Sequence, residues 1–389
     1  MHFIDEITES ILEKSRESNF CGHDPFDGLN SRIFTCMPVL KNGILGLLWT
    51  QLHKVSPINF RPAMLIPKMR NPKGIALYIL GMIENDLPVK DHHIRDVCVE
   101  LADWLVSVKS DPEIWPDSCW GYHFDWKARA FYVPKGKPNV ITTIYVSQAL
   151  YRLGRLLNRS DYIQEAFSSA NFIVEKLYTF HDSKNYFAYI PGETAFVHNA
   201  SLWGAAWVAF VGSETNNDRY RDLSLLVARQ SVRDQLENGS WVYGSSSHHQ
   251  FIDGFHTGYN LEALSLIRSS LEQSELTESI DLGYKYYREN FFTDSFDAKY
   301  YNDNVYPLDM HSVAQAIITL LGVGGGKEDY ALADRVISRS IEQMFCPRSR
   351  KFFYQKTKWY TNRIDYTRWT QAWVYYSFSY YNRRKRNFI

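Results

Sequence analysis

The sequence lacks most of the features that would assign it at once to a known class of protein. Its five cysteines are odd in number and scattered, with no Cys-x-x-Cys pair, which argues against a disulfide framework or a zinc cluster. No apolar run approaches the roughly 18 residues that a membrane-spanning helix needs. Lysine plus arginine equals aspartate plus glutamate at 43 each, so no net charge indicates a nucleic-acid partner. We expect a globular protein in the reducing cytoplasm.

Signatures of cofactor and nucleophile chemistry are also missing. The glycine-rich stretch at 322–330 has neither the spacing of a phosphate-binding loop nor a preceding strand. No G-x-S-x-G motif occurs, and the histidine pair at 248–249 lies in a polar stretch typical of a surface loop. The sequence therefore predicts no cofactor and no metal. No linker rich in proline, glycine or serine divides the chain, which predicts a single domain over 1–389.

Aromatic residues, by contrast, are abundant: they make up 15% of the chain and include 26 tyrosines and 11 tryptophans. Tyrosine and tryptophan need hydrogen-bond partners when they are buried, so a plain core would favour phenylalanine and leucine. An excess of both suits a cleft that stacks on sugar rings. It also suits a large helical core with tyrosines at its edges, and composition leaves both interpretations open.

Helix-like segments recur in pairs, and one member of each pair opens with a polar residue. From His198 these anchor residues follow at His256, His311 and Arg368, at intervals of 55 to 58 residues. Such a period indicates a repeated supersecondary unit. Six anchor helices can be traced, near 71–83, 138–153, 196–211, 254–267, 309–321 and 366–381.

The segments between the anchor helices are more polar and are typical of helices with one buried face. Five of them lie near 90–109, 160–180, 217–235, 276–290 and 328–345, and the sixth must come from 3–18 or 31–53. Aromatic stretches at 119–126, 185–190, 239–244, 299–304 and 351–356 predict short β-hairpins. The predicted fold is all-α, a six-hairpin glycosidase-like (α/α)6 toroid with these hairpins at its mouth. Residues 1–60 are expected to wrap the ring and contribute to the mouth.

In such a ring all inner helices run the same way, so their N-termini meet at one end. The converging N–H groups and helix dipoles favour an anionic guest, such as a uronate carboxylate, and disfavour protonated imidazole. A neutral histidine can take up a proton near pH 7, as a general base must. The predicted catalytic residues are His256, His311, Tyr259, Asp253 and Asp309. The predicted substrate-binding residues are His198, Asn199, Arg368, Asp125, Trp126, Trp241 and Trp369.

Each of these residues has a simpler interpretation when it is taken alone. Asp253 and Asp309 stand just before helix starts, where a carboxylate usually caps unpaired N–H groups. A single histidine at such a place is usually structural as well. Three histidines and an arginine at equivalent repeat positions favour a common cavity, because capping alone does not require imidazole.

Several longer motifs resemble those of the VpsJ-like polysaccharide biosynthesis proteins, which are encoded in bacterial capsule and exopolysaccharide clusters. The resemblance covers nearly the whole chain. It is carried by GHDPFDGLNS (22–31), SPINFRP (56–62), GSWVYG (239–244), DGFHTGYNLEAL (253–264), YPLDMHSVAQAI (306–317) and RWTQAW (368–373). It implies a six-hairpin, carbohydrate-related protein whose partners are a polysaccharide, an oligosaccharide or a sugar precursor and other polysaccharide-assembly proteins. It assigns no reaction.

The imidazole-rich ring favours proton-transfer chemistry. In this hypothesis the protein is an epimerase or lyase that acts on a uronate-containing glycan or lipid-linked precursor. His256 or His311 would be the base, Tyr259 the acid, and Arg368 the group that holds a carboxylate.

Two other functions remain open. A glycoside hydrolase would use two carboxylates, with candidates at Asp125, Asp253, Asp309 and Glu193. A glycan-binding or scaffold protein of the synthesis complex would use the same cavity without a reaction of its own.

Overall fold

The computed structural model describes residues 2–37, 41, 43–127 and 132–388, and α-helices make up most of them. In chain order the helices are α1 (His2–Glu17), α2 (Arg32–Cys36), α3 (Ile44–Val55), α4 (Pro72–Glu84), α5 (Leu87–Lys90), α6 (His92–Ser107), α7 (Val140–Leu157), α8 (Ser160–Phe172), α9 (His198–Glu214), α10 (Asp218–Arg233), α11 (Gly254–Leu271), α12 (Thr277–Asn290), α13 (Met310–Thr319), α14 (Lys327–Met344) and α15 (Ala372–Phe388).

Six of these helices form a closed inner ring. Helices α4, α7, α9, α11, α13 and α15 each pack against the next one, and α15 packs against α4, which closes the ring. Helices α6, α8, α10, α12 and α14 form an outer layer, each packed on the inner helix that precedes it. Helix α1 packs on α15, so the sixth outer helix is the first of the two segments that the sequence left open. The fold is the predicted (α/α)6 toroid.

Amino-acid composition separates the two layers. Helix α9 is buried on nearly all sides and is rich in alanine and glycine; a Cβ on Gly204 would lie 3.0 Å from the Phe187 side chain. Helix α10 buries one face, on which Ser224, Val227 and Ser231 recur at helical spacing. Even among the apolar inner helices, none in the described part of the chain has the length and hydropathy of a membrane-spanning segment.

Side-chain caps set the level at which most inner helices begin. Asn71, Asn139, Asp253 and Asp309 precede α4, α7, α11 and α13, and each side chain accepts a hydrogen bond from a backbone N–H of the first turn. Helix α9 has Val197 at this place and no side-chain cap. The capped first turns meet around one opening, so the capping interpretation of the two aspartates and the cavity interpretation hold together.

Short antiparallel strands lie on the connections that lead to the inner helices. They are β1 (Trp126–Lys127), β2 (Tyr132–Val133), β3 (Tyr178–His181), β4 (Lys184–Phe187), β5 (Leu308–Asp309), β6 (Phe345–Cys346), β7 (Lys351–Phe352), β8 (Gln355–Lys356) and β9 (Thr361–Asn362). Strands β1 and β2, β3 and β4, and β6 and β7 form pairs, whereas β5, β8 and β9 form one sheet.

Two of the five predicted hairpins, 239–244 and 299–304, form only isolated bridges. The carbonyls of Tyr243 and Tyr300 accept hydrogen bonds from His198 and Gly254, which are the first residues of α9 and α11. These stretches therefore satisfy helix N-termini instead of pairing with a neighbouring strand.

Candidate active site

A cavity of about 400 Å³ opens at the end of the ring where the inner helices begin. The second residue of every inner helical segment lines it; in the last segment this residue lies in a π-helical turn, Thr367–Gln371, that leads into α15. The six residues are Lys73, Ile141, Asn199, Phe255, His311 and Arg368. One position of the repeat thus builds the wall, and the cavity has the size of a small-ligand site.

His256, one place further along α11, also lines the cavity. Its backbone N–H donates to Oδ1 of Asp253 at 2.8 Å, and its Nδ1 lies 2.6 Å from Oδ2 of the same carboxylate. The Asp253 side chain is buried, whereas that of His256 remains 20% exposed. The carboxylate orients the imidazole with Nδ1 as the donor, which leaves Nε2 to exchange a proton with a guest.

His311 and Tyr259 form a second pair, which is buried. The Tyr259 hydroxyl lies 2.9 Å from Nε2 of His311. Burial, together with the nearby Lys73 and Arg368, holds the pKa of His311 well below its ordinary value. Burial raises the pKa of Tyr259 well above its ordinary value. Both groups are therefore neutral near pH 7, with the imidazole as a proton acceptor and the phenol as a donor.

Lys73, to which the sequence analysis gave no role, completes this group. Its Nζ lies 3.3 Å from the Tyr259 hydroxyl and faces the rings of Tyr145 and Trp373 at 4.5 and 4.9 Å. Burial and the charge of Arg368 hold the pKa of Lys73 well below its ordinary value. An anion in the cavity would favour the protonated form, so the amine is placed to bind one. The available sequence signal is a single lysine in the first turn of α4, a helix that is otherwise almost entirely apolar.

Asp24 anchors Arg368 from outside the ring. The Nε and Nη2 groups of Arg368 donate to the two carboxylate oxygens at 2.6 and 2.8 Å. The guanidinium also lies 5.1 and 5.3 Å from the ring centres of Tyr122 and Trp369. Asp24 belongs to the motif at 22–31, for which the sequence suggested no role. Because two nitrogens are committed to Asp24, Nη1 is the nitrogen left to reach a guest.

Aromatic rings make up much of the remaining wall. Tyr122 stacks on Phe124 with 5.0 Å between ring centres and 8° between planes, and Tyr243 stacks on Phe251 at 5.0 Å and 12°. Such flat surfaces suit the apolar faces of sugar rings. The other aromatic residues of the wall are Phe26, Trp126, Tyr189, Phe255, Tyr259, Tyr300 and Trp369. The aromatic excess thus serves a cleft as well as the core.

Basic groups outnumber acidic ones in the cavity wall. Lys54, Lys73 and Arg368 line it, against one carboxylate, that of Glu193, among the described residues. Asp24 already neutralises Arg368, so a guest meets mainly the two lysines. This balance, added to the helix N-termini, favours an anionic guest.

His198 and Trp241 are two of the three predicted binding residues that lie outside the cavity. The Nδ1 atom of His198 is 3.0 Å from the Ser231 hydroxyl of the outer helix α10, and burial lowers the pKa of this histidine to about 4. Trp241 is buried and donates from Nε1 to the Ser231 carbonyl at 2.9 Å. The structure assigns both side chains to packing between the layers, which corrects the prediction.

The three predicted aspartates do not line the cavity either. Asp125 forms an ion pair with Lys41 at 2.6 Å. Asp309 caps α13 and accepts a hydrogen bond from Nε1 of Trp369 at 3.1 Å, and burial raises its pKa to about 6. Asp253 supports His256 from behind. These positions correct the expectation that Asp253 and Asp309 act directly on substrate and that Asp125 binds it.

Seven of the twelve predicted residues do meet at the cavity: His256, His311, Tyr259, Asn199, Arg368, Trp126 and Trp369. The structure adds Lys73, Lys54 and the histidine pair at 248–249, which lies in the surface turn Ser247–His249 and borders the cavity from there. Burial and the two neighbouring histidines lower the pKa of His249 to about 4.

No family model matches the chain, and no curated protein matches it. Its structure resembles an unsaturated glucuronyl hydrolase specific for heparin, with a TM-score of 0.64 over 100% of this chain and 98% of that one at 9% identity. It also resembles a cellobiose 2-epimerase from Bacillus thermoamylovorans, with a TM-score of 0.63 over 81% of this chain and 88% of that one at 10% identity. A third similar structure is a GH76 α-mannanase from Bacteroides thetaiotaomicron, with a TM-score of 0.59 over 81% of this chain and 87% of that one at 9% identity. The likeness shows a shared six-hairpin glycosidase-like fold.

Proposed function

We propose that the protein is a cytoplasmic epimerase or lyase of bacterial surface-polysaccharide biosynthesis that moves a proton on a uronate-containing glycan or lipid-linked precursor. The observation that carries the chemistry is His256, whose Nδ1 is held by Asp253 at 2.6 Å while its ring lines the cavity. The pathway rests on the resemblance of the motifs to VpsJ-like proteins. Proteins of the same fold that are named for glucuronyl and cellobiose substrates support a sugar guest.

In this proposal Nε2 of His256 removes the proton from the sugar carbon beside the carboxylate or carbonyl. Asp253 stabilises the imidazolium that forms. Tyr259 supplies the second proton, to the opposite face of that carbon in an epimerase or to the departing oxygen in a lyase. The ring centres of His256 and Tyr259 are 6.2 Å apart, so both groups border the same space. The neutral His311 accepts the hydrogen bond of the Tyr259 hydroxyl and orients it. Lys73, in the protonated form that a bound anion favours, lies beside the same hydroxyl and returns a proton to it.

A uronate carboxylate also matches the basic side of the cavity. Lys73 and Nη1 of Arg368 stand at the first turns of adjacent inner helices, where the helix dipoles add to their attraction for an anion. Negative charge that develops on the carboxylate after proton removal would be stabilised by the same groups.

Paired-carboxylate hydrolysis fits the geometry less well. It needs two carboxyl groups on opposite sides of the scissile bond. Among the described residues only Glu193 brings a carboxylate to the cavity wall, since Asp125, Asp253 and Asp309 are engaged elsewhere.

The test is incubation of the protein with uronate-containing polysaccharide and lipid-linked precursor fractions in D2O, followed by NMR and mass spectrometry. We expect deuterium at one sugar carbon for an epimerase, or a new conjugated alkene for a lyase. His256→Gln should abolish either signal, whereas His181→Gln, at an exposed histidine of β3, should not. New reducing ends without deuterium or alkene would identify a hydrolase, and an unchanged but bound glycan would identify a binding protein; either result contradicts the proposal.

A further inference from the structure

Helix α3 carries a row of apolar side chains that nothing covers in the described part of the chain. Ile44, Leu48, Leu52 and Val55 recur at spacings of four and three residues, and Leu45 joins them on the same side. At about 100° per residue they span roughly 100° of the helix. Their side chains, with that of Ile58 just after the helix, are between 45% and 67% exposed. We call these six residues the α3 face.

The opposite side of α3 is an ordinary packed surface. Gly46, Thr50 and His53 are buried there, and the backbone carbonyl of His53 accepts a hydrogen bond from the Arg61 guanidinium. The helix therefore packs by its polar and small residues, against the 3-10 turn Asp27–Asn30 and β1, while its most apolar residues point to solvent. This is the reverse of the usual arrangement in a globular protein, and it marks a binding surface.

An aromatic loop extends the α3 face. The turn between β8 and β9 is fixed to the end of α3 by hydrogen bonds from the Tyr360 hydroxyl to the Val55 carbonyl and from Nδ2 of Asn362 to the Ser56 carbonyl, both at 3.0 Å. At its tip Trp359 is 84% exposed. Exposed tryptophan and tyrosine beside aliphatic residues are typical of surfaces that sit at a lipid–water interface.

The charge of the two segments that build this surface is of one sign. Residues 28–70 contain six lysines and arginines and no aspartate or glutamate, and residues 343–364 contain six and none. The whole chain, in contrast, is balanced at 43 of each sign. Lys358 and Arg363, on either side of the loop tip, are exposed and form no ion pair among the described residues. Several of the other basic side chains already pair with acids, as in Lys41–Asp125, Arg61–Asp27 and Lys351–Asp365. Lys358 and Arg363, beside the exposed Trp359, are the charges that complement an anionic lipid surface.

The α3 face is continuous with the candidate active site. Gln51 and Lys54 lie on the same helix, next to the apolar row, and both line the cavity. A partner bound to the α3 face would therefore lie next to the mouth of the cavity.

We propose that the α3 face and the Trp359 loop dock the protein on the surface of an anionic lipid bilayer. The aliphatic residues and Trp359 enter the interfacial region, and the basic side chains contact the lipid headgroups. Docking in this way presents the cavity to sugars held at the membrane surface. The inference rests on the geometry of this surface and not on the proposed reaction, so its test needs no substrate.

The test is flotation of the purified full-length protein with vesicles of phosphatidylcholine alone or of phosphatidylcholine with phosphatidylglycerol. We expect binding to the anionic vesicles that weakens as salt is raised. Val55→Glu and Leu48→Glu should each weaken it by about tenfold or more, because each removes an apolar anchor and adds a repelled charge. Val89→Glu is the matched control: Val89 and Val55 are 56% and 55% exposed, but Val89 lies in α5, at the opposite end of the ring.

A second readout is independent of any change in folding. Vesicles with brominated acyl chains should quench tryptophan fluorescence in the wild-type protein, and clearly less in Trp359→Phe. No binding to either kind of vesicle, or binding that Val55→Glu and Leu48→Glu leave unchanged, would overturn the proposal. A dimer in solution that Leu48→Glu dissociates, without vesicle binding, would overturn it in favour of contact between two copies of the chain. Loss or retention of deuterium exchange in the activity assay bears on the proposed function alone.

Discussion

The openings of α9 and α11 occupy equivalent places in the ring, yet their histidines face opposite sides of it. His256 lines the cavity and is held by Asp253, the residue that caps its helix. His198 faces the outer layer, where Ser231 is its partner. Both histidines open helices of similar apolar character, and an alignment on histidine treats them as the same position.

The difference comes from where each histidine stands in its helix. His198 is the first residue of α9 and His256 is the third residue of α11. Two residues correspond to about 200° around a helix, which turns one side chain inward and the other outward. The repeat interval thus predicts at which end of the ring a residue lies. Its position counted from the start of the helix decides whether its side chain faces the cavity or the outer layer.

The largest expected contrast between the two histidines is in turnover. His256→Gln should lower kcat by about 10²–10⁴-fold, because it removes the imidazole proposed as the general base and keeps a side chain that can bond to Asp253. His198→Gln should leave the kcat of the folded protein within about twofold. Rates of deuterium incorporation measure both. An equal loss of kcat in the two variants would contradict the assignment of His256 to the cavity and of His198 to packing.

Stability should change in the opposite order. His198→Ala should lower the free energy of unfolding by about 2–3 kcal/mol, because it leaves a void between the layers and removes the partner of Ser231. His256→Gln should cost about 1 kcal/mol or less, since the site is partly open to solvent. Urea denaturation followed by circular dichroism gives both values. A larger cost for His256→Gln would contradict the assignment of His198 to packing.

The same contrast predicts a pH dependence of stability. Burial lowers the pKa of His198 to about 4 from its ordinary value of 6.5, so the unfolded chain takes up the proton first as pH falls. Stability due to this neutral histidine is complete above pH 6.5 and declines as the pH drops toward 4. His198→Asn should therefore show a flatter dependence over this range than the wild type. Parallel curves from urea titrations would count against a buried, neutral His198.

Two tryptophans extend the comparison on a smaller scale. Trp126 lines the cavity and Trp241 packs between the layers. Trp126→Ala should weaken glycan binding by about tenfold, in keeping with the loss of one aromatic contact surface. Trp241→Phe should leave the affinity unchanged and lower only the melting temperature. Calorimetric titration with a uronate oligosaccharide distinguishes the two, and a loss of affinity in Trp241→Phe would contradict its placement.

Much of the fold could be predicted from the sequence because the same pair of helix types recurs along the whole chain. Apolar helices with small residues alternate with charged ones, and this alternation predicts an inner and an outer layer without any tertiary contact. The origin of the sixth outer helix stayed open, since 3–18 and 31–53 are both helical by pattern. Packing on α15 selected the first of them.

The site was harder to predict from the sequence. Which residue of each inner helix lines the cavity depends on where the helix begins, and the capping residues decide that. The residues that line the cavity from Ile141 onward are Asn199, Phe255, His311 and Arg368, at intervals of 58, 56, 56 and 57 residues. An alignment on polar residues passes over Phe255 and Ile141, since apolar side chains do not stand out in apolar helices. Lys73 escaped notice for a related reason: the first repeat is longer, and its position falls outside the common interval.

Charge patterns needed the structure as well. The basic run at 382–388 is conspicuous, but it belongs to α15, where Arg383 pairs with Asp86 at 3.2 Å and Lys385 with Asp334 at 2.9 Å. The acid-free segments 28–70 and 343–364 are inconspicuous in the sequence, and they become one surface only because Tyr360 and Val55 meet.

The closure of the ring also governs when the site comes into being. Arg368 and Asp24 are 344 residues apart, and α15 must join α4 before the last wall of the cavity exists. During translation, five of the six hairpins leave the ribosome while the inner layer is still an open horseshoe with apolar edges on α4 and α13. Until α15 docks, these exposed apolar edges make the partly folded chain prone to aggregation. The cavity is complete only when α15 lies between α13 and α4.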